Sequence, residues 1–264
     1  MSFELYFALT LIVKMAITAG FVLAATVTAE RAGPLVGGLV ATLPIGAGPV
    51  YVFLALDHDA QFIAQSAVAS LAINAVNVVF ATVYVLLAQK RSLALSLSAG
   101  LAVWSALALV IHWVPWTAIT ALAVNIVVLA VCLWLVRPLR QVTMPPVHRR
   151  WYDLPMRAVL VALLVGIVVG LSFRIGAAGS GNLAVFPVVL ISIMLILHNR
   201  VGGQSTAAVL ANAPLGLVGF AFACVVLHAA AEPLGVAIAL ALALATSIGW
   251  GLAVLSARRH GIPV

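Results

Sequence analysis

Charge is what this chain has least of. Aspartate and glutamate together number 6 and lysine and arginine 13 in 264 residues, so 7% of the chain is charged while 65% is hydrophobic. Soluble domains carry charge on about a quarter of their residues, so an ordinary water-facing fold is excluded. The net charge of +7 does not indicate nucleic acid, because a bilayer protein collects its few charges at helix ends. Strand-like alternation of apolar and polar residues is also missing, and the apolar runs exceed about 18 residues, so the spanning elements are helices and not barrel strands. The only cysteines, Cys132 and Cys224, lie inside apolar runs and are read as packing residues. No acid lies within any span, which argues against a proton relay or sodium site built on an intramembrane carboxylate. No basic region precedes the first apolar run, Leu5 to Ala29, which is too long for a signal-peptide core and is expected to remain as a helix.

What remains is an all-α polytopic membrane protein. Spans are expected at about 5–29, 33–56, 62–88, 93–112, 116–136, 154–173, 175–197, 203–228 and 234–256, about nine in all. Threaded alternately, they gather Arg31, Lys90, Arg91, Arg137, Arg140, Arg149, Arg150, Arg157, Arg200, Arg258 and Arg259 on one side. The positive-inside rule makes that side cytoplasmic, with the N-terminus outside and the C-terminus inside, as for a bacterial inner-membrane protein. Residues 137–153 form a basic cytoplasmic linker that can also touch anionic lipid, separating 1–136, a first half with an extra fifth helix, from a second half, 154–264.

Two stretches share an unusual punctuation. Gly33, Pro34, Gly37, Gly38, Pro44, Gly46, Gly48 and Pro49 interrupt the second span, and a similar pattern returns after Arg174. At a fixed offset of 143 residues Arg31 meets Arg174, Gly33 meets Gly176, Gly38 meets Gly181, Pro44 meets Pro187 and Gln61 meets Gln204. Five spans separate the two starts, and an odd number reverses the polarity of the second copy, so the halves read as two inverted repeats with broken helices 2 and 7.

Glycine costs about 1 kcal/mol and proline about 3 inside a helix, so both spans should break, with Pro44 and Pro187 near mid-depth. A proline suits the first turn of a new helix, and two half-helix N-termini of inverted polarity would converge at the centre, where their partial positive charge favours anions. Backbone freed at that depth implies a cavity. The substrate-binding residues expected from this are Thr42, Pro44, Gly46, Asn182 and Pro187, with Asn74 and Asn77 one turn apart on the third span, either lining the cavity or bonding between helices. Arg31 and Arg174 lie about 20 Å from their prolines, at the mouths, with Arg174 the better candidate for a gate. Lys14 is the odd charge: with no acid expected at its depth, its partners would be freed carbonyls or an anionic ligand, unless it snorkels.

Asp57, His58 and Asp59 could bind a metal with His112 or His228, but a polar turn is the default, and no metal, cofactor or catalytic residue is assigned. The expected function is a secondary carrier moving a small anionic or zwitterionic solute by alternating access. Alternatives are a carrier of anionic lipid or lipid-linked phosphate, an intramembrane enzyme using the outer histidines and aspartates, and a scaffold without a cavity. Partners would be the solute and membrane lipids, with a homodimer as an option and no nucleic acid.

Overall fold

Apolar runs of this length satisfy their backbone in lipid only by coiling, and the computed structural model, which describes residues 3–31, 46–139, 150 and 152–260, is accordingly mostly helical over them. In chain order the helices are α1 (Phe3–Arg31), α2 (Ala47–Asp57), α3 (Ala60–Leu87), α4 (Leu93–His112), α5 (Ala118–Val136), α6 (Asp153–Ala184), α7 (Val188–Leu210), α8 (Ala213–Leu234) and α9 (Val236–Arg259). Among the described residues seven helical stretches are long and apolar enough to cross a membrane, Asp153–Leu210 counting as one of them. The chain is therefore read as an integral membrane protein. The 11-residue α2 is about 17 Å long, half the hydrocarbon thickness.

The breaks follow from local chemistry. Asp59 caps α3 by accepting from the Phe62 N–H at 2.8 Å, and a Thr117–Thr120 capping box opens α5. Inside α6 the chain turns at Gly176 (φ 68°), and inside α7 at Gly202 (φ 81°), backbone that a side chain would strain. Physically, α6 is a long helix to Ile175 followed by a half-helix 177–184, and α7 is a half-helix 188–201 followed by a short one. The expected span 203–228 is also interrupted: the helix stops at Leu210 and restarts at Ala213, because Pro214 has no N–H and its ring would meet the carbonyl four residues back.

α3 is the axis of the bundle, packed by α4, α5, α6, α7 and α8 and buried along most of its length. Its start lies beside His58, which bonds Ser172 of α6, and its end beside His198 of α7, which bonds Tyr84. α1 runs antiparallel along α6, with Met15 on Gly166 and Leu11 on Gly170, where glycine lets the helices approach. Ile119, Val127 and Trp134 of α5 and Leu109 of α4 are exposed, as befits a lipid-facing surface.

Candidate functional site

The half-helix 177–184 ends in mid-bundle, and its last carbonyls cannot find partners within their own helix. Serine and asparagine side chains of α3 supply them. Ser70 donates to the Gly181 carbonyl at 2.6 Å and Asn77 to that of Val185 at 2.7 Å, and at the start of the half-helix Ser66 donates to the Ala177 carbonyl at 3.0 Å. Tyr51 of α2 donates in turn to the Ser70 hydroxyl at 2.7 Å, and the Trp104 indole to the Asn77 amide oxygen at 2.7 Å. Closeness depends on Gly181, where a methyl would lie 2.1 Å from the Ser66 carbonyl oxygen. At Val185–Pro187 the backbone is satisfied by protein. Asn77 bonds between helices, and so does Asn74, which donates to Asn125 at 2.8 Å and to the Leu217 carbonyl at 3.2 Å.

Pro187 is buried and immediately precedes α7. The N–H groups of Val189 and Leu190 in that first turn have no carbonyl within the helix to accept them. Gly46 immediately precedes α2, and a methyl built on it would lie 3.6 Å from Val189 Cγ2. The starts of α2 and α7 thus meet at one point, from which α2 leaves toward the beginning of α3 and α7 toward its end. Thr42 and Pro44, on the approach to Gly46, lie outside the described residues, as does the expected break at Pro44. Asn182 sits on the half-helix 177–184; its amide oxygen and that of Asn74 are buried without a hydrogen-bond partner among the described residues. Arg174 is exposed two residues before the Gly176 turn, at the same end of the bundle as His58.

Lys14 has an acid after all. Its ammonium bonds both carboxylate oxygens of Asp57, at 2.6 and 2.7 Å, and lies over the Phe53 ring. The expectation that no acid shares its depth counted Asp57 as part of an outer turn; α2 is a short rising helix, and its last residue hangs beside α1. A second ion pair joins Arg200 to Asp153 through both guanidinium Nη atoms, one bond at 2.6 Å.

In the turn between α2 and α3 the polar side chains are engaged with neighbouring residues. Ser172 is fully buried and donates to the Val169 carbonyl, so it accepts from His58 Nε2–H at 2.8 Å. His58 also stacks on Phe62 at 3.7 Å, Asp59 caps α3, and Asp57 is held by Lys14. Burial lowers the His58 pKa from its usual value against the pull of Asp57 and Asp59. His228 is turned to the Ala64 carbonyl. Among the described residues no three histidine, cysteine, aspartate or glutamate side chains come together.

A cavity of about 540 Å³ opens between α1, α2, α8 and α9, lined by residues such as Ile17, Tyr51, Phe53, Phe220 and Leu244. It is apolar: the hydroxyls in its wall, Thr18 and Tyr51, are engaged with Lys14 O and Ser70. Residues 32–45, which lead to Gly46, lie outside the described residues.

Sequence reasoning missed Ser66, Ser70, Tyr51 and the ion-pair partners. Ser66, Ser70, Asn74 and Asn77 recur at spacings of four, four and three, a single helical face, and that stripe was the available signal. Comparison with family models, curated proteins and solved structures finds no match.

Proposed function

We propose that the protein is a secondary carrier built of two inverted repeats, moving a small solute with a negative group by alternating access past the point where α2 and α7 begin. The observation that carries this reading is the contact between Gly46 and Val189, which are 143 positions apart. Residues related by a twofold axis touch only beside that axis, and Asn74 with Leu217 forms a second such contact at the same separation. Element boundaries keep the register: α4 begins at Leu93 and α9 at Val236, and the α2–α3 turn at Asp59 corresponds to the Gly202 turn. The packed pairs α1 with α6 and α3 with α8 are each a helix against its own counterpart.

Two helix N-termini facing one point favour an anion. Thr42, Pro44, Gly46 and Pro187 would shape the site, with Arg174 at one mouth. In a bacterial inner membrane the N-terminus would face outward. One observation favours a second reading, an anionic lipid: the apolar cavity beside α2 could hold a chain while Lys14 stands at its end.

A thermal-shift screen of the purified protein against inorganic anions, amino acids and a polyprenyl phosphate tests the choice, because a ligand of the folded state raises its apparent stability. An amino acid or inorganic anion whose shift disappears in Val189→Trp supports the central site; a shift with the polyprenyl phosphate alone supports the second reading. No shift with any class, together with a centre closed to thiol reagents from both faces, refutes the carrier.

A further inference from the structure

The two ion pairs stand in equivalent places with their charges exchanged. Asp57 is the last residue of α2, and Arg200, 143 positions on, closes the half-helix 188–201. Asp57 binds Lys14 on α1, and Arg200 binds Asp153 on α6, the counterpart of α1. Asp153 lies one turn before Arg157, the position equivalent to Lys14.

They also lie at opposite ends of the bundle. Asp57 precedes His58 and the start of α3. Arg200 follows His198, which bonds Tyr84, and precedes Gly203, packed on the Ala88 carbonyl at the end of α3. Residues 60 to 88 span about 42 Å along a helix, so each pair is near one face. In both cases the bond ties a half-helix that starts at the central junction to a long helix of the α1–α6 pair.

The chain is jointed where such segments would move. Gly176 and Gly202, both at positive φ, bracket the broken span 177–201, and an extended turn at His58–Asp59 follows α2. An ion pair suits a contact that must open, because Coulomb attraction and desolvation nearly cancel, whereas apolar packing has no such offset. The side chains are mostly shielded, at 12% and 24% exposure for Lys14 and Asp57 and 12% each for Arg200 and Asp153, so water must enter when either pair parts.

We infer that Lys14–Asp57 and Asp153–Arg200 are the two latches of the carrier, one on each face, and that they release alternately to expose the junction at Gly46 and Val189. This rests on the proposed carrier function. Both latches are closed in this structure.

The test uses Val189→Cys as a reporter in full-length protein carrying Cys132→Ala and Cys224→Ala, labelled by a membrane-impermeant maleimide in right-side-out and inverted vesicles. Asp57→Asn is expected to speed labelling about fivefold or more from the face where α3 starts, and Asp153→Asn from the other, the range of a functional coupling. Exchanging Lys14→Asp with Asp57→Lys should restore slow labelling, which a merely misfolded variant would not. Equal acceleration from both faces, or no change in either variant, overturns the latches while labelling of the parent from both faces keeps the carrier. A reporter unreachable from either face in every variant overturns both.

Discussion

Gly181→Ala should loosen the half-helix 177–184. An added methyl would stand 2.1 Å from the Ser66 carbonyl oxygen and 2.9 Å from Ala69 Cβ, and the nearer obstacle is backbone, which cannot swing aside. Restoring an ordinary 3.4 Å contact requires a displacement of about 1.3 Å. Applied along the Ser70–Gly181 bond, now 2.6 Å, that shift gives about 3.9 Å, outside hydrogen-bond range. The Ser66–Ala177 and Asn77–Val185 bonds anchor the same segment and would be strained with it. Bonds of this kind within membrane bundles are worth about 0.6–1.7 kcal/mol each, so losing the three predicts a cost of about 2–5 kcal/mol. Unfolding in mixed micelles at increasing denaturing detergent reads that difference, with Gly216→Ala as control, since nothing lies within 4 Å of its added carbon. A Gly181→Ala protein within about 0.5 kcal/mol of the control would refute the claim that α3 seals the break, because surface-like changes fall in that range.

Asn77→Leu strands the Val185 carbonyl and the Trp104 indole N–H together, and should cost about 2–4 kcal/mol in the same assay, with a red-shift or broadening of the Trp104 emission as the optical check. Lys14→Met leaves Asp57 charged and partly shielded, at an expected cost of about 1–3 kcal/mol, whereas Lys14→Met with Asp57→Leu should recover most of it, measured as a double-mutant cycle. His58 titrates below its unfolded value because burial disfavours its charge, so its contribution is fully present above the unfolded pKa and is lost as the pH falls through the lowered one; thermal unfolding between pH 7 and 5 should show the loss, and His58→Gln should flatten it.

The helical class and the break at Pro187 were legible because hydropathy and proline chemistry act locally. Partners were not. Lys14 and Asp57 are 43 residues apart, and nothing in either neighbourhood says that α2 is short enough to bring its last residue beside α1. Depth counted along the chain placed Asp57 in an outer turn; depth in the bundle places it at the reach of a lysine stem, about 6 Å long, from within α1. The interruption at Ala211–Asn212 was written in Pro214, whose effect falls four residues upstream. The polar stripe on α3 was visible as a spacing, but its purpose was hidden, since only the fold shows that a half-helix with unpaired carbonyls ends against it.

The exchange of charges between the two ion pairs follows from the proposed inversion itself. Membrane insertion favours basic residues on one face, so a segment duplicated with reversed polarity would be pressed to change sign where a charge lies at a face, as at Asp57 and Arg200, although Lys14 with Arg157 and Arg31 with Arg174 stay basic. In the proposed threading the position that ends α2 would face the side poor in basic residues and carries Asp57; its equivalent would face the basic side and carries Arg200. Preserving the contact while reversing the sign requires the partner to change too, and Lys14 is answered by Asp153, displaced by one helical turn on the same helix face. Such a pair of repeats would keep the geometry of a contact while its residues change. Glycine and proline are free of that pressure, since their constraint on the backbone is the same whichever face of the membrane they point toward.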